Sequence, residues 1–135
     1  MIKEAYVSYE IAKLLKEKGF DEECTHYYSY EDDELIEYTN GVYSRNSKDC
    51  HRCTSPTHQM ACAWLREKFL YHIEVRVFGI DKGRERTDEW KYFFEIIFPR
   101  TFTQECNSLC YKNDGYSTYE EAVEAALKYS LENFI

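Results

Sequence analysis

Tyr71-His72-Ile73-Glu74-Val75-Arg76-Val77 alternates side-chain polarity without a break, and Trp90-Lys91-Tyr92-Phe93-Phe94-Glu95-Ile96-Ile97-Phe98 follows after a polar run. Strict alternation is the period of a strand, in which successive side chains point to opposite faces. The first segment gathers Ile73, Val75 and Val77 on one face and His72, Glu74 and Arg76 on the other. The second gathers Trp90, Tyr92, Phe94, Ile96 and Phe98. With Asp81 to Glu89 as the turn, the two predict an antiparallel hairpin that buries one face.

Helical patterns flank this hairpin. Upstream, Ser55-Pro56 reads as an N-cap followed by proline at the first helical position, where its missing N–H costs nothing. The helix expected from Pro56 to about Leu70 turns Met60, Ala61, Trp64 and Leu65 inward, extended by Phe69. Downstream, Ser117-Thr118-Tyr119-Glu120-Glu121 sets an acid three residues after either hydroxyl, the capping-box pattern. Ala122, Val123, Ala126, Leu127, Leu131 and Phe134 then share one stripe to the carboxyl end. Residues 100–116 read as irregular.

Nearer the amino end, Ser8 precedes Ile11, Ala12, Leu14 and Leu15 at helical spacing, and lysines crowd the last turn before Gly19. Gly19 suits the left-handed stop of a helix, and Phe20 is placed to fold back on it. Strands are expected near Thr25–Tyr30 and Leu35–Tyr38, with a short one at Val42–Ser44, separated by turns at Glu31-Asp32-Asp33-Glu34 and Asn40-Gly41. Ser44 to Thr54 shows no period and reads as a loop. The order α-β-β-α-β-β-α predicts an α+β fold in a single domain spanning 1–135. Its expected form is an antiparallel sheet of about four strands with three helices mainly on one face.

The totals narrow the function classes. A hydrophobic content of 44%, with 13 Tyr and 8 Phe, is enough for one core at 135 residues. A net charge of −8 opposes a phosphate backbone. Glu120, Glu121 and Glu124 stand where a double-stranded-RNA-binding module would carry basic residues at its last helix, so nucleic acid is not an expected partner. The longest nearly apolar stretch, Tyr92 to Pro99, is interrupted by Glu95 and is far shorter than the ~20 residues a spanning helix needs. Lys3, Glu4 and Glu10 leave no apolar signal segment, which predicts a cytoplasmic protein with reduced thiols and no membrane association.

Cys50-His51-Arg52-Cys53 and Cys106-Asn107-Ser108-Leu109-Cys110 are two paired thiols in irregular stretches. Cys50, Cys53, Cys106 and Cys110 would make a four-thiolate set for a structural zinc ion. Against zinc, the second spacing is unusual, knuckle glycines are absent, and Cys24, His26, His51, His58 and Cys62 offer competing sets. Unligated thiols, and no cofactor, are therefore the expectation. A redox role for Cys50 and Cys53 would want a strand ahead of them and a helix starting at the pair, and neither is read here. His26, His51, His58 and His72 fall in no nucleophile-base frame, and the five glycines are isolated, so no catalytic residues are assigned and no enzyme is expected. What stands out is tyrosine. Tyr27, Tyr28, Tyr30 and Tyr38, with Tyr43, exceed what a small core hides, and tyrosine suits interfaces, which predicts a partner protein or self-association.

Tyr6-Val7-Ser8-Tyr9-Glu10-Ile11-Ala12-Lys13-Leu14-Leu15-Lys16-Glu17-Lys18-Gly19-Phe20-Asp21, Ser55-Pro56-Thr57-His58-Gln59-Met60-Ala61-Cys62-Ala63-Trp64-Leu65-Arg66-Glu67, Tyr119-Glu120-Glu121-Ala122 and the closing Leu131-Glu132-Asn133-Phe134-Ile135 carry a further likeness. Together they resemble a family of small uncharacterised proteins encoded by phages, prophages and other mobile elements of gut Bacteroides and relatives. The resemblance implies a bacterial or phage intracellular setting and brings no catalytic residues. Residues 23–54 and 100–116 stand outside it.

Overall fold

Ser8 opens the first helix, α1 (Tyr9–Glu17), by accepting the Ile11 amide on its hydroxyl at 3.3 Å, and Ile11, Ala12 and Leu15 form its buried side. The computed structural model describes residues 2–39, 43–47, 51–79, 90–98 and 108–135, with 79 and 108–114 in backbone only. The stop after α1 follows the sequence expectation. Gly19 takes φ +92°, its N–H reaches Lys16 O at 3.1 Å, and Phe20 N–H reaches Leu15 O at 2.9 Å. That pair of bonds returns Phe20 to the helix it has just left, and Phe20 and Leu15 are buried in the same apolar cluster.

A first sheet follows, built from β1 (His26–Ser29), β2 (Leu35–Glu37) and β3 (Arg52–Ser55) in the order β2-β1-β3, all antiparallel. The acidic turn between β1 and β2 is solvated, with Glu31, Asp32, Asp33 and Glu34 all exposed. Of the short strand expected at Val42–Ser44, only Tyr43 and Ser44 are among the described residues, and Ser44 makes an isolated bridge to Cys24. β3 corrects the expectation of a loop from Ser44 to Thr54. Four mostly polar residues carry no readable period. They become a strand because Tyr28 pairs with Cys53 on one side, while Asn46 Oδ1 accepts the Thr54 amide on the other at 2.9 Å.

The start of the next helix is also shifted. Val7 N–H donates to Pro56 O and His58 N–H to Ala5 O, each at 3.0 Å, so the amino-terminal segment holds Ser55 and Pro56 extended. The N-cap is therefore Thr57, whose hydroxyl accepts the Met60 amide at 3.1 Å, and α2 runs His58–Phe69. Ser55 caps nothing. Its hydroxyl donates to Val7 O at 3.1 Å. Ala61, Trp64 and Leu65 turn inward as expected, joined by His58, whereas Met60 is exposed.

The hairpin is β4 (His72–Gly79) and β5 (Trp90–Ile97), with Val75 opposite Phe94 and Ile73 opposite Ile96. Phe94 and Ile96 are fully buried, but Val77 and Trp90 are exposed at the far end. The covering helix explains this, since its first residue, Tyr119, reaches the hairpin at Tyr92 with ring centroids 6.3 Å apart. A sixth strand, β6 (Ser108–Tyr116), pairs with β5 inside the stretch read as irregular. Asn113-Asp114-Gly115 looks like a turn, and the structure absorbs it as a bulge. Residues 112–115 lie between the pairs Tyr92↔Tyr116 and Phe94↔Tyr111, opposite Phe93 alone.

The last helix is α3 (Tyr119–Asn133), capped by Thr118, whose hydroxyl accepts the Glu121 amide at 3.1 Å. The fold is thus α+β as expected, but the described residues form two three-stranded antiparallel sheets in place of one sheet of about four. α3 packs on β4, β5 and β6 and also on α1 and α2, so both sets of apolar residues meet on it.

Two positions test the backbone. Leu70 ends α2 at φ +62° with 58% of its surface exposed, a left-handed conformation that Cβ sterics disfavour. Leu70→Gly should raise the stability by about 1 kcal/mol, read as a higher urea midpoint at unchanged slope. Gly115 has φ +80°, and a Cβ there would lie 2.8 Å from Lys91 Cβ and 3.2 Å from Phe78 Cζ. Gly115→Ala should lower the midpoint by an amount equivalent to about 1–3 kcal/mol.

Candidate functional site

Polar chemistry converges where three elements begin or pass. Ser8 is the N-cap of α1, His58 is the first residue of α2, and Glu124 lies one turn into α3. Glu124 Oε1 accepts the Ser8 amide at 2.9 Å and sits 2.8 Å from His58 Nε2. A carboxylate between two helix starts also meets the positive end of each helix dipole. Burial would raise the Glu124 carboxyl, but the hydrogen bonds from His58 and Ser8 outweigh it and hold the group below its ordinary value. His58 itself is buried.

A cleft of about 520 Å³ opens beside this pair, with Gln59, Cys62, Arg66, Tyr119 and Glu120 among its walls. A hollow of about 580 Å³ on a neighbouring side is bounded by Tyr6, Tyr116, Glu120 and Glu121. Burial pushes the Cys62 thiol up to about 11, so it is protonated at neutral pH. The Ser8 hydroxyl is already committed to the Ile11 amide and His58 Nε2 to Glu124. Chemically, the arrangement fixes two helix starts to a third helix.

The sign of its pH dependence follows from the lowered carboxyl. Its contribution is present above the ordinary value of 4.5 and is lost as pH falls through the lower folded value. Glu124→Gln should cost about 1.5–3 kcal/mol at pH 7, the range for a hydrogen bond to a charged group, and should flatten the acid limb of a stability-versus-pH curve. Unfolding midpoints measured from pH 7 down to pH 3 check both effects.

The four tyrosines expected on one surface divide between two faces of the first sheet. Tyr28 is only 8% exposed and its hydroxyl donates to Val7 O at 2.8 Å, so it belongs to the core, where burial raises its phenol. Tyr30 is exposed on that same side, edge-on to Tyr9, with Lys16 Nζ 5.1 Å from its ring centroid. Tyr27 and Tyr38 are half-buried on the opposite face, with ring centroids 4.4 Å apart. Arg52 lies over both rings, its Cζ 5.2 Å from one centroid and 5.5 Å from the other. Strand alternation separates Tyr27 from Tyr28, and the register of β3 delivers Arg52 from a stretch with no period of its own.

Of the cysteines considered for zinc, Cys50 and Cys106 lie outside the described residues and Cys110 is described in backbone only. Cys53 is fully buried in β3 of the first sheet, whereas Cys110 pairs opposite Glu95 in the second. Among the described residues no group of three or more His, Cys, Asp or Glu is placed to hold a metal ion, and no helix is long and apolar enough to cross a membrane. The His58–Glu124 contact joins residues 66 apart in sequence, and nothing local signals it. No protein-family model, curated protein or solved structure matches the chain.

Proposed function

We propose that this is a noncatalytic accessory protein that works by binding another protein through the outer face of its first sheet. The observation that carries the reading is the Tyr27–Arg52–Tyr38 stack. Tyrosine and arginine are the residue types that dominate binding energy at protein interfaces. Two rings and a guanidinium already stacked on one another have less side-chain freedom to lose on association. The net charge of −8 further favours a protein over a nucleic acid as the partner.

The setting we assign is the cytoplasm of a bacterial host, with the protein encoded by a phage or mobile element. The support is the resemblance carried by residues 6–21 and 55–67 and by the final helix. Host takeover or regulation is the kind of task such an accessory protein performs. No cofactor enters the proposal.

Recovery of partners from host lysate on the immobilised chain tests the reading when run beside the double variant Tyr27→Ala/Tyr38→Ala. A specific partner should be retained by the natural sequence and reduced about tenfold or more by the variant, a loss of about 1.4 kcal/mol. Equal recovery by a variant whose thermal melt shows it folded would overturn the assignment of this face.

A further inference from the structure

We propose that β2 is an acceptor edge, and that the partner docks by adding an extended basic segment to it as a further antiparallel or parallel strand. The inference rests on the protein-binding reading above and specifies what the partner presents.

The backbone sets the edge. Tyr38 N–H donates to Thr25 O at 2.8 Å, which makes 25 and 38 a bonded pair across β1 and β2. Bonded and non-bonded pairs alternate in an antiparallel ladder, so Tyr27↔Ile36 is the next bonded pair. Leu35 and Glu37 therefore direct their N–H and C=O groups away from β1. β2 ends the order β2-β1-β3, and among the described residues no strand lies beyond it. An edge of this kind is what an incoming extended peptide pairs with in strand addition.

Charge selects the occupant. Glu31, Asp32, Asp33 and Glu34 are exposed immediately before β2, and Glu37 is exposed at its end. A second copy of the chain is disfavoured, because joining two β2 edges would bring two acidic turns and two Glu37 side chains into one short ladder. A lysine- or arginine-bearing strand meets the opposite situation. Its basic side chains would lie on the Leu35 and Glu37 face. Its alternate, apolar side chains would lie beside Ile36 and Tyr38, the β2 face that carries no carboxylate.

The probe is a synthetic peptide alternating lysine and valine with blocked ends, titrated into the full chain and followed by amide NMR. The Leu35 and Glu37 amides should shift saturably and become protected from hydrogen exchange, and affinity should fall with added salt. The same peptide N-methylated at alternate positions should bind about tenfold or more weakly. Leu35→Pro, which removes an outward N–H and none that bonds β1, should do the same. A glutamate–valine peptide should not bind.

Equal binding of the N-methylated peptide, a footprint away from β2, tight binding of the acidic peptide, or no binding of the basic one would each overturn strand addition. The N-methylated arm keeps the test decisive if Leu35→Pro does not fold. If the peptide fails while Tyr27→Ala/Tyr38→Ala still abolishes partner recovery, the binding face stands and the edge does not. If both fail, both readings fall.

Discussion

The fold depends on α3 being apolar over more than one stripe. Ala122, Val123, Ala126, Leu127, Ser130 and Leu131 are all buried, a width that no single neighbour covers. Val123, Leu127 and Leu131 pack with Ile11, Leu15, Phe20, Trp64 and Leu65 from the first two helices and their connections. Ala126 packs with Phe94 and Ile96 of β5, and Tyr129 and Phe134 extend that contact. Ala125 and Ala126 are the small residues of α3 in that contact, while Val123, Leu127 and Leu131 fill the space toward α1 and α2. Removing the helix would strip cover from two apolar surfaces at once.

Apolar burial is weakly directional, and polar contacts fix how the pieces align. Glu124 holds the starts of α1 and α2 against α3 through Ser8 and His58. Val7 O accepts both the Tyr28 and the Ser55 hydroxyl, so the segment before α1 is tied to β1 and β3. These bonds satisfy groups that burial would otherwise leave without a partner. The segment from Ala5 to Val7 thereby acts as a seam between the first sheet and the helices.

Long regular patterns were legible in the sequence. The stripes of α1 and α3, the Gly19–Phe20 stop, a cap at Ser117 or Thr118 and the hairpin around Val75 and Phe94 each depend on neighbours within a few residues. What escaped depends on distant ones. Arg52–Ser55 is a strand because β1 and Asn46 lie beside it, and Thr57 displaces Ser55 as cap because Ala5 and Val7 bond across. β6 hid behind Asn113-Asp114-Gly115, which spells a turn until Phe93 is seen opposite the bulge. Of the candidate surface, the abundance of tyrosine was visible, but only the sheet register separates core Tyr28 from Tyr27 and Tyr38 and sets Arg52 over the latter pair.

A preformed aromatic and cationic stack is useful for binding only if the sheet beneath it is rigid, and here that rigidity is borrowed from α3 through Tyr28, Cys53 and α1. The central claim is therefore that α3 is the shared core of both sheets, so that neither opens without it. Native-state hydrogen exchange in rising denaturant measures this most directly. Amides of β1, β5 and α3 from Val123 to Leu131 should converge on one opening free energy. Amides of β4 and β5 that exchange through a separate, lower-energy opening, while α3 stays protected with β1, would contradict it.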